Sequence, residues 1–419
     1  MKRVIAAFLC AMIYSNVFPQ ALVTKSDTLR KDALNVYMDA SDYIKKEIPY
    51  INYVRDIKDA GVYIISTYEN TGSGGTKYSF YLVGQNQFAG MRDTISYSST
   101  PDDTQETIRL NQVKVLKMGL MRYIARTPLS KYMSITFSEP LSETVSSDKW
   151  NSWVFRAALN GYAQAQQTYN SHNFYGNFSA NKVTKDWKIN LNFGLSHAKQ
   201  TYIIDTVKYI STYDTKSLNG LIARSLNDHW SYGVSAMIGS SSYSNLNLTT
   251  KLMPGVEYDI FPYSSSTRKL LTLLYKIGPN YVIYDDSTIY DKTKELLWLE
   301  NLSATYVVIE KWGTINLGIL YSNYLHDWTK NNLSFNTYLE LRIAKGLRLY
   351  LGAQASLVHD QLGLVKGGAT EEEVLLQRKE LATQYQYFFQ FGFSYTFGSI
   401  YNNVVNPRFN DTGGMYYMY

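Results

Sequence analysis

The sequence predicts an α+β chain in which a transmembrane antiparallel β-barrel of about twelve strands follows a small periplasmic α/β domain. Three observations lead there. A short apolar run stands behind two basic residues at the start. From Trp153 to Gly398, segment after segment alternates apolar and polar residues with a period of two. After the first run, no stretch of about 18 apolar residues occurs, so a membrane protein built from this chain crosses with strands rather than helices.

The start, MKRVIAAFLCAMIYSNVFPQA, reads as a secretory signal peptide over residues 1–21. Lys2 and Arg3 form its basic region, and Val4 to Tyr14 is too short to span a bilayer, which takes about 20 residues. Cys10 is the only cysteine, and Phe8 and Leu9 before it are not the small residues of a lipoprotein site. The chain beyond residue 21 therefore has no disulfide, thiolate metal site or cysteine nucleophile. Charged residues are 18% and aromatic residues 15% of the chain, with 38 tyrosines. Low charge with abundant tyrosine suits a surface that meets both lipid and water. A net charge of +6, spread along the chain, argues against nucleic acid as a partner.

Residues 33–140 read as the periplasmic α/β domain. Leu34 to Met38 is a short strand, and Asp39 or Ser41 can cap a helix from Tyr43 to Asp59 with a kink at Pro49. Val62 to Tyr68 and Tyr78 to Val83 form a hairpin around Asn70 to Gly75, and Thr94 to Ser98 is a further strand. Gly72 to Gly75 is not a phosphate cradle, because a strand and not a helix follows it. Thr100-Pro101-Asp102-Asp103 starts a helix to Arg126 with the stripe Val113, Leu116, Leu120 and Ile124, and Tyr132 to Phe137 closes the unit as a strand. A polar linker (141–150), the barrel (151–398) and a tail without strand pattern (399–419) complete the expected organisation.

The barrel reading rests on patterns such as Leu347, Leu349, Leu351, Ala353, Ala355 and Leu357 against Arg348, Tyr350, Gly352, Gln354 and Ser356. Tyr385 to Phe397 alternates in the same way. The segments centred near 220, 254 and 304 alternate poorly. Even-numbered barrel segments are followed by tight turns such as Lys185-Asp186 and Ala344 to Gly346. Odd-numbered ones are mostly followed by longer loops, expected at Thr201 to Tyr213, Tyr284 to Lys294 and Asp360 to Thr383. A soluble sandwich also buries an alternating face, but it has no reason to alternate its loop lengths.

Glu371-Glu372-Glu373-Val374-Leu375-Leu376 and Phe393-Ser394-Tyr395-Thr396-Phe397-Gly398-Ser399-Ile400-Tyr401-Asn402-Asn403, with Glu47-Ile48-Pro49-Tyr50-Ile51-Asn52 and Leu120-Met121-Arg122-Tyr123-Ile124-Ala125-Arg126-Thr127, resemble a family of uncharacterised outer-membrane β-barrel proteins. The resemblance implies a location and a fold and carries no catalytic residues.

The candidate site is a set of ionisable residues assigned to the polar side of the strands: Arg156, Lys188, Lys276, Glu300, Glu340, Arg342 and Arg348. In a narrow lumen such groups pair as a plug or line a pore. Glu340 is expected to hold both Arg342 and Arg348. His172, His197, His229, His326 and His359 show no metal-ligand spacing, and no cofactor or metal is expected. His326 with Asp327, Ser322 and Asn323 is the faint candidate for a lipid-modifying enzyme, against a loop-end histidine beside a girdle Trp328. Asp285, Asp286 and Asp291 cluster in an outer loop, where a solvated loop competes with cation binding. Expected partners are outer-membrane lipids and lipopolysaccharide, the barrel assembly machinery, and a periplasmic protein bound through residues 33–140. The leading expectation is a narrow pore or a membrane anchor for periplasmic interactions. An outer-membrane lipid-modifying enzyme and a structural or assembly module are the alternatives.

Overall fold

The computed structural model describes residues 32–72, 74–135, 148–204, 207–367 and 380–399. The expected signal peptide, and most of the expected linker and tail, lie outside these residues. The first unit contains β1 (Asn35–Tyr37), α1 (Asp42–Glu47), β2 (Asn52–Tyr53), β3 (Val62–Asn70), β4 (Thr76–Gly84), β5 (Arg92–Ser98) and α2 (Gln105–Ile124). Its five strands lie in the order β2-β1-β3-β4-β5. β1 is parallel to β2 and β3, while β3, β4 and β5 form an antiparallel meander.

Both helices pack on one face of this small sheet. The stripe Val113, Leu116, Leu120 and Ile124 of α2 is buried against Val62, Ile64, Phe80 and Leu82. Tyr123, wholly buried, donates its hydroxyl to the carbonyls of Leu82 and Met91, both at 3.3 Å, so its polar tip is satisfied inside the core. Thr104 caps α2 by accepting from the amide of Thr107. The helix thus starts later than the sequence suggests, because Thr100 and Asp103 are engaged in a turn of their own.

Two expectations for this unit are corrected. The helix expected over Tyr43 to Asp59 stops at Glu47, and β2 and a 3-10 turn (Ile57–Asp59) take up the remainder. Ile48, before Pro49, has left the helical region with φ −122° and ψ 64°, as the proline ring demands of its predecessor. The strand expected over Tyr132 to Phe137 is not formed where it is described. Pro128–Tyr132 is a 3-10 turn, Met133 to Ile135 are irregular, and the rest lies outside the described residues. The glycine-rich segment is the turn of the β3–β4 hairpin, as expected, with Gly74 at φ 77°.

The remainder forms one antiparallel sheet of twelve strands, paired in sequence order from β6 to β17. These are β6 (Trp153–Ala165), β7 (Tyr169–Val183), β8 (Trp187–Ile204), β9 (Val207–Ser225), β10 (Trp230–Ser241), β11 (Leu246–Asp259), β12 (Lys269–Tyr284), β13 (Lys294–Glu310), β14 (Gly313–Tyr324), β15 (Asp327–Ala344), β16 (Leu347–Val358) and β17 (Tyr385–Tyr395). Among the described residues, no hydrogen-bonded pairing joins β6 to β17. One cavity is nevertheless lined by side chains from Lys188 of β8 through Asn301 of β13. Laid flat, those strands would lie about 24 Å apart, so the sheet curls around its polar face.

The expected asymmetry of loop length is only partly present. The connections 184–186, 311–312 and 345–346 are short, but 166–168, 242–245 and 325–326 at the opposite end are short as well. Thr201 to Ile204 and Val207 to Tyr213, expected as a loop, extend β8 and β9. Backbone pairing of β8 with β9 continues through the adjacent Ile203 and Ile204, where the alternation breaks, so alternation underestimates strand length. The connections 260–268 and 285–293, at opposite ends, are nine residues each, and 359–367 and 380–384 flank residues outside the described set between β16 and β17.

The core of the small unit sets its stability. Leu120→Ala should cost about 2–5 kcal/mol there. The check is limited proteolysis of the full chain in denaturant, where cleavage within residues 32–135 should begin at lower urea than cleavage within the large sheet. Equal thresholds for both regions would contradict a separate core.

Candidate functional site: the polar face of the large sheet

Cross-strand register assigns every side chain to a face. Leu191, Phe193 and Leu195 of β8 share a face with Phe178, Leu218, Ile238, Leu252, Val256, Phe335 and Leu357, and all of these are exposed. The opposite face carries Asn190, Asn192, Asn219, Ser235, Asn301, Asn336 and Gln354. Arg156, Lys188, Lys276, Glu340, Arg342 and Arg348 belong to this polar face.

Glu300 does not. It stands on the apolar face beside Trp298 and Leu302, accepts from the hydroxyl of Tyr275 at 2.7 Å, and accepts from Asn323 at 3.0 Å. The start of β13 is apolar on both faces, since Leu297 and Leu299 are buried on the polar side while Leu296 and Trp298 are exposed on the other. Composition alone therefore leaves the phase of this strand open, and register decides it.

The expected triad around Glu340 is half formed. Arg348 pairs with Glu340 at 3.6 Å, whereas Arg342, the cross-strand partner of Arg348, turns to the small unit. Its guanidinium lies 4.3 Å from the ring centre of Tyr37. A cation over an aromatic face is attracted by the ring quadrupole, and a guanidinium stacks flat on it. Among the described residues, Arg156, Lys188 and Lys276 have no acidic group within ion-pair distance. Sequence reading missed Lys251 and Glu257, which share this face on β11. The poor alternation of β11 hid them, and only their register against β10 places them.

The helix-free face of the small sheet lies across the end of the large sheet that carries turns 184–186, 260–268 and 345–346. Lys345 pairs with Asp59 at 2.7 Å. Tyr81 hydrogen-bonds Thr267, and Arg268 sits 5.2 Å from the Tyr81 ring centre while pairing with Glu310 at 2.7 Å. Arg55 donates to the carbonyl of Phe397 at 3.4 Å, and Gly72 packs on Val183. Tyr37, Val54 and Ala60 form a small apolar cluster at the same junction. A cleft of about 390 Å³ between the two parts is lined by Arg55, Asp56, Asp59, Arg342, Lys345 and Arg348.

The opposite end of the large sheet is contacted by the segment after β16. Val282, Tyr284 and Leu297 on the polar face enclose Leu362 from the segment after β16. Asn245 clamps that segment, donating to the carbonyls of Asp286 at 3.0 Å and Gly363 at 2.9 Å. Asp291 pairs with Lys366, and Asp285 accepts from Asn247 at 3.0 Å, so these loop carboxylates are engaged with nitrogen donors. Among the described residues, no three His, Cys, Asp or Glu side chains gather as metal donors.

His326 makes a ring contact with Tyr324 at 5.9 Å, while Ser322 faces Asn301 and Asn332. Among the described residues no hydrogen bond joins Ser322 to His326, so the hydrolase geometry is not assembled. His197 does meet a carboxylate, Asp214, at 2.7 Å, on the exposed apolar side and without a hydroxyl nucleophile in that pair. The chain matches no protein-family model and no curated protein.

The Asp59 carboxylate accepts a hydrogen bond from Lys345 and raises the pKa of its ammonium. A raised lysine pKa means that this contact contributes fully below the ordinary value of 10.5 and is lost as pH climbs through the raised one. Protection of residues 32–135 from protease in the full chain should therefore be flat from pH 7 to about pH 10 and fall above it. Lys345→Met should remove that pH step. Arg342→Met should weaken protection from pH 7 to pH 10 as well, because it removes the guanidinium from the Tyr37 ring.

Proposed function

We propose that the chain is an outer-membrane β-barrel, closed between β6 and β17, whose periplasmic end is stoppered by its own N-terminal unit. The segregation of apolar and polar residues onto opposite faces in most of the strands carries this reading. An exposed apolar face far larger than the few hundred Å² tolerated in water calls for lipid. Membrane-spanning sheets must close, because an open edge leaves backbone groups unpaired in hydrocarbon.

The tryptophans support the same orientation. Trp153, Trp187 and Trp230 open β6, β8 and β10 at the short-turn end, and Trp312 stands just before β14. Trp298 and Trp328 lie toward the other end, as two interfacial belts require. The roughly 40 Å of β13 between Trp298 and Glu310, tilted by about 45°, rises roughly 28 Å, close to a bilayer core. The N-terminal unit sits at the short-turn end, which is the periplasmic side in barrels of this class. With that end covered by the small sheet and the other narrowed by Leu362, the barrel serves as a gated narrow pore, or as a membrane anchor when shut.

The mature protein should fractionate with the outer membrane and migrate faster without boiling than after it. A soluble, heat-independent protein overturns the barrel. The stopper has its own test. Asp59→Cys and Lys345→Cys, at an ion pair that crosses the junction, in a chain whose sole native cysteine lies in the expected signal peptide, should be joined by a short bis-maleimide whose spacer holds a reducible disulfide, oxidised as added. The oxidised protein should stay closed in planar bilayers, and reduction should increase the frequency of opening. Open channels in the fully oxidised form overturn the stopper and leave the barrel standing.

A further inference from the structure

One rung of the polar face is unusual. Reading across five neighbouring strands and onto a sixth, the register aligns Lys188, Ala223, Gly233, Gly255, Lys276 and Asn301. Three consecutive positions thus have little or no side chain, and a lysine stands at each end of the gap. The glycines have a local reason to be there. A Cβ on Gly233 would lie 2.6 Å from the carbonyl oxygen of Ile222, and one on Gly255 would lie 2.6 Å from that of Tyr275, so the backbone approaches too closely for a side chain. The stem of Lys276 lies over Gly255, with its Cγ 2.6 Å from where a Cβ would stand, and the missing side chains leave space above Gly233 and Ala223.

That space is the cavity of about 510 Å³ on the polar face. Its walls along the gap are apolar, with Leu221, Met237, Met253 and Leu274. Its charges are mostly cationic. Lys251 joins Lys276 on the same wall, and Lys188 faces them from the other. The acidic groups close by are few. Glu257 accepts from Ser231 at 3.3 Å, and Asp360, within electrostatic range of Lys251, accepts from Asn332 at 3.1 Å. None of the three lysines has an acidic group within ion-pair distance among the described residues. Beside Lys276 on the rung, the Asn301 side-chain oxygen is buried without a hydrogen-bond partner. An amide so placed can turn either its oxygen or its NH2 toward a ligand.

Lys251 and Lys276 are half-buried, which favours a counter-charge that completes their pairing, while Lys188 stands exposed at the far end. An apolar trough between two cationic ends selects a molecule with an apolar body and an anionic group at each end. We propose that this cavity binds a small aliphatic dicarboxylate. One carboxylate lies at Lys251 and Lys276, the methylene chain lies over Gly233 and Ala223, and the other carboxylate reaches Lys188. The site rests on the polar face being a lumen, as proposed above, and it identifies the class of solute that the lumen accepts.

The test uses the full mature chain in detergent, first shown to be folded by its heat-dependent migration. That control reports on the barrel and the titration reports on the site, so the two readings fail separately. Adipate is titrated at constant ionic strength, with 1,6-diaminohexane as a dication of similar length and potassium chloride as the salt control. Adipate should bind saturably and raise the melting temperature, and neither control should do so. Lys251→Met combined with Lys276→Met should weaken adipate at least tenfold. Ala223→Leu keeps every lysine and fills the trough, so it should also abolish the shift. No shift with adipate, an equal shift with the diamine or with salt, or unchanged adipate affinity in both folded variants overturns the site.

Discussion

Because side chains alternate along a strand with a period of two, the hydrogen-bonded register of the large antiparallel ladder decides which residues meet each other and which meet the surroundings. Every strand from β7 to β16 pairs on both edges, and this pairing holds the register from Trp153 to Tyr395. A slip of one residue would turn Leu191, Phe193 and Leu195 to the polar face and Asn190 and Asn192 to the apolar one. The cost of exchanging both rows at once locks each strand. The polar face, the cavity above Gly233 and Gly255, and the placement of Lys188 and Lys276 all follow from that lock.

Where the two parts of the chain meet, the contacts are of another kind. Arg342 over Tyr37, Arg268 over Tyr81 and Lys345 with Asp59 are charge-based contacts at the rim, and a small apolar cluster around Tyr37 accompanies them. Rim ion pairs between exposed groups are individually weak. A junction built mainly from them can separate without unfolding either sheet, as the proposed stopper requires. Arg342 has a double position in this arrangement. It sits in register with Arg348 on the polar face, and its attraction to Tyr37 relieves the repulsion between the two guanidinium groups. Glu340 is then left to pair with Arg348 alone.

Much of the architecture was legible from the residues. Each of the segments picked out by alternation falls within a strand of the large sheet, including the three that alternate poorly. The stripe on α2 packs where its spacing places it, because a helical stripe and its sheet are local neighbours. The failures have common physical causes. Pro49 ended a helix that the apolar spacing would have continued. Strand ends such as Thr201 to Ile204 are held by backbone hydrogen bonds to Val207 to Ile210, and the adjacent Ile203 and Ile204 break the alternation that would have marked them. Glu300 was assigned to the wrong face because leucines occupy both faces at the start of β13.

The sequence by itself determined the number of strands in the large sheet and most of its faces, since each depends on periodicity within a single segment. Only the tertiary structure decided which charges become neighbours. Lys188, Lys251 and Lys276 come from three separate strands, and no spacing along the chain relates them until the ladder aligns β8 through β12. The contact of Arg342 with Tyr37 joins residues about 300 positions apart, and it exists because the helix-free face of the small sheet lies against the turns of the large one. Periodicity is a property of one strand read alone, whereas pairing is a property of two, and the chemistry of this molecule lies in its pairings.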